Sequence, residues 1–190
     1  MYKPGDFVFY PKGGVFVIEK ESEKTISGHN LSFYDLISSD HKTKISIPKT
    51  NVDRVGVRKL ITGSYLDDQM DVWAPDIKIS KLHHKNRKSR FETLRQTGIF
   101  EDMGAVIVTI HYLINKAKAT FEEKRMYDQI RKRMVDEIEI IKDISLLLAE
   151  EMLQGALDIA ITRKPVVNYD EDGNEIDLEM DELEEDLLPV

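Results

Sequence analysis

The apolar residues of this chain change their spacing once, near residue 60, and that change limits the fold more than any other feature. Before it, Phe7-Val8-Phe9-Tyr10 and Val15-Phe16-Val17-Ile18 are short β-branched and aromatic runs separated by the turn Pro11-Lys12-Gly13-Gly14. Ser27-Gly28-His29-Asn30 makes the next turn. Leu31, Phe33 and Tyr34 to Ile37 form a third strand, Ile45-Ser46-Ile47 alternates as a fourth, and Val55-Gly56-Val57 offers a fifth. Several short strands divided by turn residues predict a small, strongly bent barrel.

Beyond that point the period becomes helical. Ser64 caps a short helix running through Leu66, Met70 and Trp73 and stopping at Pro75, with Trp73 as a packing residue. Asp76–Ser80 reads as a linker. A second helix begins near Lys85 with Phe91 and Leu94 on one face, and a third covers Phe100–Asn115. Thr120 with Glu123 is a capping box that opens a long helix, whose apolar stripe is Tyr127, Ile130, Met134, Ile138 and Ile141. Ser145 restarts a final helix through Leu148, Met152 and Leu157. The expected class is α+β: a β-barrel over residues 1–60, an all-α bundle over 61–164, and a tail over 165–190. From Tyr169 on, that tail is acidic and poor in aromatic residues, and is expected to be disordered.

Charge follows the same division. The whole chain carries a net −8, but Tyr169–Val190 holds 11 acidic residues and no Lys or Arg. Removing those 11 leaves 24 acids against 27 bases over residues 1–168, a net charge of +3. A mildly basic body is compatible with a nucleic-acid partner where the total charge is not.

Cysteine is absent, which excludes thiolate zinc sites, disulfides and thiol nucleophiles and suits a reducing compartment. The first residues lack a basic stretch followed by an apolar core, and no apolar run is long enough to span a bilayer. The expectation is a cytoplasmic monomer with no membrane partner. Gly13-Gly14 lacks the spacing of a phosphate-cradling loop, and no nucleophile-elbow pattern surrounds any serine. No enzyme activity and no cofactor are expected. His83-His84 point in different directions on a helix, and no acid or cysteine lies nearby in sequence, so no metal site is expected there. His29, His41 and His111 stand alone and suit surface or satisfied-core positions.

The densest chemical signal is Lys78–Arg90, which holds Lys78, Lys81, Lys85, Arg87, Lys88, Arg90, His83 and His84, and no acid. Cations packed this closely repel one another unless solvent or a polyanion accepts them, and phosphate is the commonest polyanion. Either a solvated basic face or a nucleic-acid backbone contact fits. In the second case Leu82 supplies an apolar group that can press on bases.

Several stretches carry a resemblance. Tyr2-Lys3-Pro4-Gly5-Asp6-Phe7-Val8-Phe9-Tyr10-Pro11 followed by Gly14, then Thr25-Ile26-Ser27-Gly28, Ile47-Pro48, Asn51 and Val55-Gly56-Val57-Arg58, resemble the N-terminal module of the CarD/CdnL family. That module is shared with transcription-repair coupling factor. Phe91-Glu92-Thr93-Leu94 with Thr97-Gly98, and Glu123-Lys124-Arg125-Met126, are similar to helices of the family's second domain, so the likeness runs in order over about residues 1–160.

The resemblance implies a Tudor-like (SH3-like) barrel that binds the RNA polymerase β subunit. It also implies a helical domain that contacts promoter DNA at the upstream edge of the melted bubble, stabilising the open complex without catalysis. Lys24 falls on a basic residue used against the β subunit, with Ile26 on the same strand. A second basic contact falls on Ser46, a departure that removes one ion pair, with Ile47 beside it. The family's wedge tryptophan falls on His83, with Lys85 and Lys88 on basic positions and Asn86 where an arginine is usual. Either Leu82 or His83 wedges here, or the wedge is absent. Both cover less base surface than indole, so weaker support of promoter melting is expected, with binding leaning on Lys85, Arg87, Lys88 and Arg90. The alternatives are an adaptor that does not touch DNA and an RNA-associated small barrel.

Overall fold

The computed structural model describes residues 1–26 and 28–163. Ser27 of the expected turn, and the whole of the expected disordered tail, lie outside the described residues. The first sixty residues form a five-stranded antiparallel sheet of β1 (Phe7–Tyr10), β2 (Gly14–Ile26), β3 (His29–Ser38), β4 (Lys44–Pro48) and β5 (Arg58–Lys59). The spatial order is β4-β3-β2-β1-β5, and a short 3₁₀ turn over Lys49–Asn51 follows β4. This is the small five-stranded β module the strand spacing predicts, and it suits the Tudor-like barrel the resemblance implies.

Two details of that reading change. The fifth strand is Arg58–Lys59 and not Val55-Gly56-Val57, because Gly56 takes φ +74° and turns the chain before it can pair. The second strand is also far longer than its apolar run. A bulge at Glu19, between the paired residues Ile18 and Lys20, lets β2 bend out of the barrel and continue beside β3 as a two-stranded ribbon. Beyond Glu23 and Ser32 the two strands pair only with each other.

The helices are α1 (Gly63–Val72), α2 (Ile77–Lys81), α3 (His84–Thr97), α4 (Phe100–Asn115), α5 (Phe121–Lys142) and α6 (Leu146–Ala160). Thr62, not Ser64, caps α1, because its hydroxyl accepts from the Tyr65 N–H. The expected linker at Asp76–Ser80 is mostly helix: the Asp76 carboxylate accepts from the Ile79 N–H and starts α2. The capping box at Thr120 and Glu123 and the Ser145 cap stand as the spacing predicts. Helix α4 is apolar on nearly every side, so it must be enclosed. Phe100, Met103, Val106, Ile107 and Ile110 are fully buried, and α2, α3, α5 and α6 pack around them. Trp73 stacks on Phe100 and lies so close to α4 that a side-chain carbon on Gly104 would fall 2.6 Å from its ring nitrogen.

Period-2 alternation makes the β1–β2 hairpin a partition between two cores. Val8 and Phe16 face the barrel interior, while Phe9 and Val15 are buried among the helices. Arg58 reinforces that seam. Its guanidinium donates to both carboxylate oxygens of the buried Glu137 at 2.6 and 2.9 Å and to the Gly98 carbonyl at 2.6 Å. Arg133 of α5 donates to the Pro11 and Lys12 carbonyls at 2.6 and 3.2 Å. Gly98, at φ +71°, ends α3 against Pro11, where a side-chain carbon would come within 2.4 Å. The basic helix α3 is thereby held in a fixed place relative to the barrel.

Candidate functional site

Two surfaces collect the residues singled out by sequence. The first is the β2–β3–β4 side of the barrel. Strand β4 pairs with β3 alone, so its other edge carries backbone groups that no strand in the described residues accepts. Lys24 and Ser46 come together across this sheet: Lys24 Nζ donates to Ser46 Oγ at 2.9 Å, and Ser46 Oγ donates to Asp35 Oδ1 at 2.5 Å. The Ser46 hydrogen bond holds the Asp35 carboxyl below the usual range, against the opposing effect of burial, and Lys24 adds to it. The Lys24 ammonium also lies 4.8 Å from the centre of the Phe33 ring. Ile26 is half exposed near the ribbon tip.

Ile47 differs from its partners. Its side chain is 7% exposed and belongs to the barrel core, so a partner can meet only its backbone. The alternation in Ile45-Ser46-Ile47 already sends Ser46 and Ile47 to opposite faces. Neighbouring lysines are balanced as well: Lys44 pairs with Glu19 at 2.7 Å, and Lys49 pairs with Glu21.

The second surface is α2 and α3 together with the start of α5. Arg87, expected to face DNA, is instead buried at 7% exposure. Its Nε and Nη2 donate to the two oxygens of Glu123 at 2.5 and 3.0 Å, while Nη1 donates to the Ser80 and Leu82 carbonyls. The guanidinium is therefore spent inside the protein, and its reading as a phosphate contact is corrected. Glu123 also accepts from the Thr120 N–H as part of the capping box. Burial works against its charge, but the bonds from Arg87 and Thr120 outweigh burial and hold its carboxyl below the ordinary value. One arginine thus ties the end of α2, the α2–α3 turn and the first turn of α5 into one unit.

That unit sets the exposed groups. Lys81, His83, Lys85 and Arg90 are exposed, and Lys85 and Arg90 make no ion pair among the described residues. Lys88 is half exposed and bound to Glu122 at 2.6 Å, which raises its pKa. His83 occupies the N-cap position of α3 without capping it, its ring 4.1 Å from that of His84. Leu82, partly buried, lies in the extended turn between α2 and α3. Sequence reasoning missed Phe121, which is 83% exposed at the first position of α5, next to the Lys88–Glu122 pair. The signal for it was available, since Phe121 stands off the apolar stripe of α5.

No three His, Asp or Glu side chains gather as metal ligands would among the described residues. His111 accepts or donates at both ring nitrogens, 3.1 Å from the Tyr127 hydroxyl and 2.9 Å from Asp158 Oδ1, joining α4, α5 and α6. No described helix is long and apolar enough to cross a membrane.

Comparison with known proteins agrees with this two-part arrangement. Residues 2–61 match the CarD-like/TRCF RID domain, and residues 76–154 match the CarD C-terminal domain. A similar solved structure is the solution NMR structure of the 72-residue N-terminal domain of Myxococcus xanthus CarD. It is 29% identical over 31% of this chain and 79% of that one, with a TM-score of 0.28. Matched in order by both domain families, the chain belongs to the CarD family and is an RNA polymerase-interacting transcription regulator.

Proposed function

We propose that the barrel binds the polymerase β subunit and that the α2–α3 face contacts promoter DNA at the upstream fork of the bubble, stabilising the open complex. The edge of β4 that no strand among the described residues pairs with supports the first half. A partner strand laid along it gains main-chain hydrogen bonds, while Lys24, Ser46 and the exposed Ile26 give that contact side-chain character and Ile47 contributes backbone only. The observation that carries the second half is the pair Lys85 and Arg90, exposed and without carboxylate partners among the described residues on a helix held against the barrel. Such cations bind phosphate with little base preference, so action at many promoters is expected. Leu82, His83 and Phe121 offer apolar and planar surface beside them for an unstacked base.

Tethering gives these weak contacts their effect. Attachment to polymerase raises the local concentration of the basic face near DNA. Whatever it binds better in the melted state then shifts the opening equilibrium by that difference in affinity. A second reading, an adaptor without DNA contact, draws on the pairing of Arg87 and Lys88 within the protein, which leaves fewer cations for DNA.

Capture of the β subunit by the full chain tests the first half. Proline placed in turn at Lys44, Ile45 and Ser46 removes one backbone donor each time. At least one of these variants should keep its circular dichroism spectrum and lose capture. Undiminished capture by all three folded variants rejects the edge-pairing reading.

A further inference from the structure

The described chain ends at the connection that leads into α2 and α3, where Lys85 and Arg90 make no ion pair among the described residues. After α6, Arg163 turns back and its Nη1 donates to the Met70 and Trp73 carbonyls at 3.2 and 3.0 Å, the open end of α1. The Asp76 N–H is fixed in turn to Thr109 Oγ1 of α4 at 2.9 Å. Arg163 is therefore held at the connection from which α2 and the basic run arise. Measured along that connection, the five residues of α2 and the first two turns of α3, Arg90 lies at most about 40 Å from the Trp73 carbonyl.

The residues that follow are matched to that surface in charge and reach. Tyr169–Val190 carries 11 carboxylates and no Lys or Arg. Its acids begin seven residues past Arg163 and extend to Asp186. At about 3.5 Å per residue these distances are up to roughly 24 and 80 Å, which brackets the whole of Lys81–Arg90. Within it, Glu175-Ile176-Asp177-Leu178-Glu179-Met180-Asp181 alternates acid and apolar residues. That pattern offers anions to Lys81, Lys85 and Arg90 and apolar groups to Leu82 and the exposed Phe121.

We infer that the Tyr169–Val190 segment docks on the cationic face of α2 and α3 and competes there with phosphate for Lys81, Lys85 and Arg90. The competition part rests on reading that face as a phosphate-binding surface; the contact itself does not. Single exposed ion pairs are weak. The covalent connection, however, presents the carboxylates at an effective concentration in the millimolar range. Free protein is then shielded from random duplex, whereas polymerase, holding DNA at a comparably high local concentration, displaces the segment.

The test compares the full chain with a full-length variant in which the 11 acids are replaced by their amides. In low salt and without DNA, the backbone amide resonances of residues 78–90 should differ between the two proteins and converge as salt is raised. Random duplex should bind the amide variant about tenfold more tightly, as when nine-tenths of the molecules hold the segment on the face. Superimposable resonances over residues 78–90 overturn the inference whatever the DNA affinities are. Tighter DNA binding with unchanged resonances also overturns it, since that is repulsion at a distance. Shifted resonances with no DNA binding by either protein support the contact and reject the phosphate-binding reading instead.

Discussion

The β4 side of the barrel and the α2–α3 face each carry three prominent cations, and the two surfaces treat them in opposite ways. Around β4, Lys24, Lys44 and Lys49 are matched by Asp35, Glu19 and Glu21. On the helices, Lys85 and Arg90 stand with no carboxylate partner among the described residues, and Lys81 is exposed beside them. A charge-balanced sheet edge recognises a partner through backbone geometry, with charge selecting against wrong partners. An unbalanced helix invites a polyanion. Arg87 shows that membership in a basic run does not decide the matter, because it lies between Lys85 and Lys88 and is buried on Glu123.

Removing Arg87 is the largest perturbation of this contrast. Arg87→Ala leaves Glu123 buried without its partner and should cost about 3–5 kcal/mol in thermal or denaturant unfolding. Lys85→Ala should stay within about 0.5 kcal/mol of the parent. Equal stability of the two variants would remove the structural role assigned to Arg87. Acid provides a second check. Glu123 has its pKa lowered from 4.5 in the folded protein, so its stabilising contribution is complete above that value and fades as pH falls through the lowered one. The stability gap between the parent and Glu123→Gln should therefore narrow on acidification below pH 4.5 and remain constant above pH 6 or so.

Charge reversal is next in size. Lys85→Glu with Arg90→Glu should weaken binding to forked DNA by about 10- to 100-fold at low salt and reduce the salt slope by about 2. Lys88→Ala should do less, since Glu122 already engages that ammonium. An unchanged slope favours the adaptor reading. The smallest effect belongs to the barrel: Lys44→Ala should change unfolding free energy by about 0–1 kcal/mol, as exposed pairs do, and leave the fold intact. A loss above 2 kcal/mol or so would mean that the edge depends on its charges more than its geometry allows.

Local signals were the legible part of this molecule. Thr120 and Glu123 announced their helix start, and the hairpin around Pro11–Gly14 announced the first two strands, because each depends on residues a few positions apart. What escaped depends on distance in sequence. Arg87 meets Glu123 from 36 residues away, and nothing within Lys78–Arg90 marks it as the buried member. The stripe of Phe91 and Leu94, carried back one turn, passes through position 87 and would have suggested it. The five-residue α2 was too short to show a period, although Asp76 stands as a proper cap for it. The open edge of β4 is a property of sheet order, which no run of residues encodes.

We propose that a polymerase-bound barrel makes a few exposed cations effective at a melting duplex. The most direct measurement of this effect is the dissociation rate of promoter open complexes after challenge with a competitor. The full chain should slow dissociation, and Lys85→Glu with Arg90→Glu should abolish the slowing while capture of the β subunit persists. Identical slowing by the two proteins would contradict the account.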